Sequence, residues 1–251
     1  MKKLMAANWK MYKTRTEASE TAAALAKALS GRIPEKREVL VIPPFTAIST
    51  VVDALAGAPG FSVGAQNFYP SAQGAFTGEI CPDQLLDLGC SFALTGHSER
   101  RHILGETDEM VGRKTTFGLR AGLKIILCVG ETIEERRTGK VEEILLGQLR
   151  VGTADIPTSI KAESLTIAYE PVWAIGTGEV AQPADIITAH AFVRRTILEL
   201  FPEVGADIRI LYGGSVKPGN CSEIVNLDNV DGVLVGGAGL EAGSLTDIVL
   251  A

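Results

Sequence analysis

The chain has 251 residues, 46 % of them hydrophobic and 22 % charged, so it is long enough for a full hydrophobic core and has an ordinary globular composition. Its formal net charge of −6 argues against a broad nucleic-acid-binding surface but leaves room for a small anion in a local positive field. The lack of long apolar runs, the early polar residues and the unclustered cysteines predict a cytosolic protein without a membrane span, signal peptide, disulfide or bound metal.

Short apolar, β-branched runs alternate with amphipathic stretches along the whole chain. The runs predict eight strands: Lys3–Ala7, Glu38–Ile42, Phe61–Ala65, Phe92–Thr95, Lys124–Val129, Leu165–Tyr169, Arg209–Tyr212 and Gly232–Val235. The stretches predict eight helices: Glu17–Ser30, Ala47–Ala56, Pro82–Leu88, Thr107–Ala121, Ile133–Leu149, Pro183–Leu200, Asn220–Asn226 and Leu245–Leu250. Eight such units can close into a barrel, whereas open sheets commonly have roughly five or six strands. We therefore predict an α/β fold, a single-domain (β/α)8 barrel of parallel strands over residues 1–251.

Polar and glycine residues follow the predicted strands at their carboxyl ends, where the active sites of such barrels lie. In chain order these residues are Asn8, Trp9 and Lys10, then Gly96–Arg101, Gly130–Glu131, Glu170, Gly213–Ser215 and Gly236–Gly237. Because the carboxyl ends of all the strands share one rim, the pattern predicts a single site built from several strands.

The stretch Ala168–Gly178 combines a carboxylate at a strand end with features of a lid. Glu170 ends the strand, Pro171 stiffens the chain, and the apolar run that contains Trp173 is followed by Gly176-Thr177-Gly178. Glu-Pro alone is most often part of an ordinary strand–helix loop, but Trp173 in an exposed loop fits that interpretation poorly. We predict a base beneath an apolar flap that excludes water.

The two glycine-rich turns after the seventh and eighth strands indicate a phosphate site, because their backbone N–H groups are uncrowded. Either turn alone could be a simple tight connection, but together with the hydroxyl of Ser215 they favour phosphate. Lys10 would supply the positive charge. Most lysines lie on solvated surfaces, but Asn8 and Trp9 immediately before Lys10 favour a packed, directed side chain.

Among the three histidines, His97 is the candidate for catalysis because it follows a glycine at a strand end. Facing the carboxylate base, it would be the natural electrophile for a carbonyl or enediolate, although a structural role is equally common for such a histidine. We expect His190 to be a surface or packing residue and His102 to be structural.

Two further residues near these motifs have less specific interpretations. Glu99 is either a second acid or, as we favour, an ion-pair partner of Arg100, Arg101 or Lys10. Cys128, inside an apolar strand, is expected in the core.

Five segments resemble the signature segments of the triosephosphate isomerase family, in the same order and over essentially the whole chain. They are Asn8–Lys10, Thr95–Arg101, Ala168–Gly178, Tyr212–Val216 and Gly232–Gly237. The resemblance implies the TIM-barrel fold and the interconversion of dihydroxyacetone phosphate and D-glyceraldehyde 3-phosphate in glycolysis and gluconeogenesis. It further implies that no cofactor is used and that the enzyme is a cytoplasmic homodimer.

The same resemblance implies a role for each matching residue. Glu170 corresponds to the base, His97 to the neutral electrophile and Lys10 to the cation beside the substrate. The residues that would orient the substrate or donate to its phosphate are Asn8, Gly176, Ser215, Gly236 and Gly237. Four positions just outside the chemistry depart from the family pattern and leave lid kinetics and phosphate affinity open: Tyr12, Glu179, Gly239 and Glu241.

The connection Gln66–Ile80 is longer than ordinary strand–helix loops of roughly 2–6 residues. It carries Phe68, Tyr69 and Phe76, which cost free energy in water, so the loop either folds over its own barrel or inserts into another subunit. The similarity of Ala75–Glu79 to the family's intersubunit loop favours a homodimer in which Thr77 reaches the partner's site.

The residues alone leave three other functions open. A retaining glycosidase could use Glu99 and Glu170 as its carboxylate pair, although aromatic residues for binding sugars are few. A class I aldolase needs a Schiff-base lysine. The sixth strand ends in Glu170 rather than in a lysine. A non-catalytic phosphate-binding module would explain the glycine turns but not Glu170, His97 and the lid.

Overall fold

A closed barrel of eight parallel strands forms the centre of the molecule. The computed structural model describes residues 1–175 and 179–251. The strands are β1 (Lys3–Asn8), β2 (Arg37–Ile42), β3 (Phe61–Ala65), β4 (Phe92–Thr95), β5 (Lys124–Val129), β6 (Leu165–Tyr169), β7 (Arg209–Tyr212) and β8 (Gly232–Val235). Each strand pairs with the next in sequence order, and β8 pairs with β1. The predicted fold is confirmed.

The strands are apolar on both faces because both faces are covered. In β1, Leu4 and Ala6 join the side chains that fill the barrel interior, whereas Met5 and Ala7 pack outwards against the surrounding helices. Cys128 belongs to the interior group, as predicted for a core residue. Because the strands are packed on both faces, their carboxyl ends are held in place at one rim of the barrel.

The helices surround the barrel between successive strands. They are α1 (Arg15–Leu29), α2 (Ile48–Leu55), α3 (Pro82–Asp87), α4 (Ser98–His102), α5 (Asp108–Ala121), α6 (Ile133–Arg137), α7 (Val141–Thr153), α8 (Pro183–Leu200), α9 (Pro218–Val225) and α10 (Ala242–Leu250). Among the described helices, none has the length and apolarity needed to cross a lipid bilayer.

One helix prediction was wrong, and one helix was not predicted. The single helix predicted over Ile133–Leu149 is in fact α6 and α7, separated at Gly139, whose φ of 72° is left-handed and ends α6. The short helix α4, directly after β4, was not predicted. The remaining helices begin and end within a few residues of their predicted limits.

The long loop after β3 has a packed beginning and an exposed tip. Phe68 is fully buried in the chain's own core, and Asn67 accepts a hydrogen bond from the buried Lys114 ammonium at 2.7 Å. Residues 72–79 are exposed, and Phe76, 43 % exposed, contacts the ring of Tyr69 with 4.4 Å between centroids. The first part of the loop therefore folds over its own barrel, which leaves only the tip for another subunit.

Candidate active site

The carboxyl ends of the strands surround a cavity of about 220 Å³. Nearly every site residue predicted from the sequence lines it, namely Asn8, Lys10, His97, Glu170, Ser215, Gly236 and Gly237. Gly176, also predicted to bind substrate, lies outside the described residues. Strands that are far apart in the sequence thus bring the predicted groups together.

The predicted base and electrophile are in direct contact. His97 Nε2 lies 3.1 Å from Glu170 Oε1, and both side chains are buried. The other carboxylate oxygen, Oε2, accepts a hydrogen bond of 2.8 Å from the backbone N–H of Ser98 at the start of α4. Both oxygens of Glu170 are therefore oriented by neighbouring groups.

The hydrogen bonds of His97 define which ring nitrogen carries a proton. The backbone N–H of Glu99 donates to Nδ1 of His97 at 3.3 Å, so Nδ1 is an acceptor. The proton then resides on Nε2, the nitrogen that faces Glu170. His97 can therefore donate from Nε2 towards Glu170.

Lys10 points across the site from the end of β1. Its backbone has a φ of 50°, and its N–H donates to Asn8 Oδ1 at 2.9 Å, so Asn8 supports an unusual conformation. Lys10 Nζ lies 2.6 Å from Glu99 Oε1. The ion-pair interpretation of Glu99 is confirmed, with Lys10 as the partner, while Arg100 and Arg101 pair with other carboxylates.

Comparisons with known proteins agree with this geometry. Residues 3–251 match the family model of triosephosphate isomerase. The triosephosphate isomerase of Nitratidesulfovibrio vulgaris strain Miyazaki F is 58 % identical over 251 residues, 100 % of each chain. The triosephosphate isomerase of Oleidesulfovibrio alaskensis is 57 % identical over 100 % of each chain. That of Chloroflexus aurantiacus is 47 % identical over 98 % of this chain and 97 % of the relative. The chain belongs to the triosephosphate isomerase family. It is accordingly an intramolecular isomerase, and the family resemblance of its five segments is confirmed.

In this member of the triosephosphate isomerase family, the glycine turns after β7 and β8 also make room for the acid and the lysine. A Cβ at Gly213 would lie 2.9 Å from Glu170 Cγ, and a Cβ at Gly236 would lie 3.2 Å from Lys10 Cε. Both separations are shorter than ordinary carbon–carbon contacts. Besides any role towards phosphate, Gly213 allows the close approach of Glu170, and Gly236 leaves room for the end of the Lys10 side chain, which the sequence did not indicate.

Sequence reasoning assigned no role to Glu131, which anchors the start of the flap. Its carboxylate is fully buried, and Oε1 accepts hydrogen bonds from Trp173 Nε1 at 2.8 Å and from the Tyr169 hydroxyl at 3.1 Å. Burial raises the pKa of the Glu131 carboxyl, although these hydrogen bonds oppose the rise. The one available signal was the need of a half-buried tryptophan for a hydrogen-bond acceptor.

The other two histidines differ in their surroundings. His190 is a packing residue rather than a surface residue: it is fully buried, with Nδ1 2.9 Å from the carbonyl oxygen of Asn229 and its ring edge-on to Tyr169. Burial lowers the pKa of His190 from 6.5 to about 4. His102 is exposed at the end of α4.

Proposed function

We propose that this chain interconverts dihydroxyacetone phosphate and D-glyceraldehyde 3-phosphate through an enediolate, as one catalytic domain spanning residues 1–251. The observation that carries the proposal is the contact of 3.1 Å between His97 Nε2 and Glu170 Oε1, at a rim that also presents Lys10 and two glycine turns. A carboxylate and a donor that meet at one cavity suit proton transfer next to a carbonyl group.

The chemistry requires a base and a stabiliser of negative charge. Glu170 removes a proton from the carbon beside the carbonyl and later returns it to the neighbouring carbon. The charge that develops on oxygen is stabilised by the Nε2–H of neutral His97 and by the ammonium of Lys10. His97 also transfers protons between the two oxygens, and Asn8 orients the substrate. No cofactor takes part in these steps.

The phosphate group is held by the part of the cavity lining that follows β7 and β8. Ser215, Gly236 and Gly237 belong to this lining and donate to the phosphate, together with Gly176. An enediolate beside a phosphate ester expels the phosphate if it is left loose in water, so the flap must close over it. The hydrogen bond from Trp173 to the buried Glu131 supports a flap that has a fixed end at β6.

The protein acts as a homodimer through the loop 66–80. Next to Lys10 lies a groove of about 660 Å³, whose lining includes four exposed apolar side chains: Met11, Tyr12, Ile103 and Leu104. An exposed apolar groove marks a binding surface, and a two-fold axis lets each subunit place its loop tip in the groove of the other. The partner's Thr77 then approaches Asn8 and Lys10. We predict a cytosolic enzyme that binds neither nucleic acid nor membranes.

A coupled assay of triose phosphate interconversion tests this function. We expect turnover in both directions by the purified chain without any added cofactor. Absence of isomerisation by the folded dimer would contradict the proposal. The glycosidase alternative is less well supported, because Glu99 is paired with Lys10 rather than available as a second acid. Assays of glycoside cleavage and of borohydride trapping should both be negative.

A further inference from the structure

A buried glutamine on α7 binds the backbone at the end of β5. Gln148 accepts a hydrogen bond from the N–H of Gly130 at 2.7 Å and donates one to the carbonyl oxygen of the same residue at 3.1 Å. The side chain is mostly buried. Its amide N–H and C=O pair with the C=O and N–H of one residue, as the backbone of a neighbouring strand does.

Gly130 in turn touches the backbone of the proposed base. A Cβ at Gly130 would lie 1.7 Å from the carbonyl oxygen of Glu170 and 2.6 Å from its carbonyl carbon. The residues on either side of Gly130 bind the same region: Val129 O accepts from Glu170 N at 2.8 Å, and Glu131 O accepts from Val172 N at 3.1 Å. The position of Glu170 is therefore set by the segment 129–131.

We infer that Gln148 is a positioning residue for Glu170, acting through Gly130. The inference rests on the proposed role of Glu170 as the base. Without the amide, the N–H and C=O of Gly130 lose their partners in a buried place, and the segment shifts to find others. A base displaced by about 1 Å can cost on the order of 10²-fold in rate. Gln148 is not among the described residues that line the cavity, so substrate binding should be affected much less.

Two substitutions of Gln148 test this role in the isomerase assay. In Gln148→Leu we expect kcat to fall by about 10- to 10²-fold while KM changes by less than about threefold. In Gln148→Glu the protonated carboxyl can both donate to and accept from Gly130, whereas the ionised carboxylate can only accept. The ratio of its kcat to that of the wild type should therefore rise as the pH falls.

A control on the same helix separates positioning from general destabilisation. Thr153 is buried on α7, and its hydroxyl donates to Leu149 O at 2.8 Å, within the helix. Thr153→Val removes a buried hydrogen bond without changing the side-chain shape or the bonds to Gly130. We expect Thr153→Val to lower stability and to leave kcat unchanged.

The inference is overturned if Gln148→Leu folds and its kcat stays within about twofold of the wild type. It is also overturned if Gln148→Leu changes KM alone, or if Thr153→Val loses as much kcat as Gln148→Leu. If Gln148→Leu does not fold, the pH dependence of Gln148→Glu decides, and a flat ratio contradicts the inference. Glu170→Gln in the same assay separates the two levels. Normal turnover of Glu170→Gln refutes the proposed base itself, whereas an inactive Glu170→Gln beside a normal Gln148→Leu refutes only the positioning role.

Discussion

At the scale of single residues, the groups of the proposed mechanism are held by neighbours before a substrate arrives. His97 is engaged through both ring nitrogens, Glu170 through both oxygens, and Lys10 through the carboxylate of Glu99. Groups oriented in advance need little reorganisation when charge develops, which is why such sites stabilise transition states well.

The tautomer of His97 gives a prediction at this scale. Nδ1 accepts from the N–H of Glu99, which leaves Nε2 as the donor towards Glu170. We expect nitrogen NMR of the ring to show the proton on Nε2 and the lone pair on Nδ1. A ring with its proton on Nδ1 and none on Nε2 would contradict the electrophile role.

His190 gives a second prediction, on stability. Burial lowers its pKa from 6.5 to about 4, and within the described residues its Nε2 has no hydrogen-bond partner to take up a second proton. The unfolded chain therefore binds more protons between these values. The stability contributed by neutral His190 is fully present above pH 6.5 and is lost as the pH falls towards 4. The histidine alone accounts for about 3 kcal/mol of this loss.

The measurement is denaturant unfolding at constant protein concentration across this pH range. His190→Gln has no titrating ring, so its free energy of unfolding should fall less steeply with acid than that of the wild type. Parallel pH profiles for the two proteins would show that His190 does not contribute.

At the scale of elements, the sequence predicted the strands almost completely because their apolar runs depend on local pattern. The break between α6 and α7 was missed because it depends on one residue, Gly139. The helix α4 was missed because it is a single short turn directly after β4. The anchoring of Trp173 on Glu131 joins residues in the connections after two different strands, and no local pattern encodes such a contact. The rim position of Glu170, His97 and Lys10 followed from the strand ends, whereas the direct contact between His97 and Glu170 did not.

The flap after β6 gives a prediction at this scale. Shortening it within residues 174–177 keeps the anchored Trp173 but should prevent full closure over the enediolate. We expect part of the substrate to be lost as methylglyoxal and inorganic phosphate, because water and loose geometry permit elimination. Both products are measured against the wild type and against substrate in buffer. An unchanged yield of free phosphate would refute the shielding role.

At the scale of the whole molecule, activity and assembly should be coupled through the loop 66–80. The fully buried Phe68 must stay, so the exchange is limited to residues 70–79, between Tyr69 and Ile80, whose backbones are joined by a hydrogen bond of 2.9 Å. Replacing residues 70–79 by a short Gly/Ser turn should give a folded monomer with severely reduced turnover, because Lys10 would lose the Thr77 that the proposed dimer brings to it from the partner subunit.

Sedimentation and the isomerase assay together check this coupling. A variant that is monomeric and fully active would refute the link between assembly and activity. A variant that remains dimeric would refute the role of the loop. Circular dichroism of the variant serves as the control for folding of the barrel.

The whole account depends on one proton transfer at Glu170, and the most direct measurement is the turnover of Glu170→Gln. The amide keeps the shape of the side chain but cannot accept the proton, so kcat should fall by about 10²- to 10⁴-fold or more. An unreactive phosphorylated three-carbon analogue should still bind with nearly wild-type affinity, because Lys10 and the glycine turns are unchanged. Glu170→Asp, which withdraws the carboxylate by about 1 Å, should lose on the order of 10²-fold. Near-normal turnover of Glu170→Gln would contradict the account.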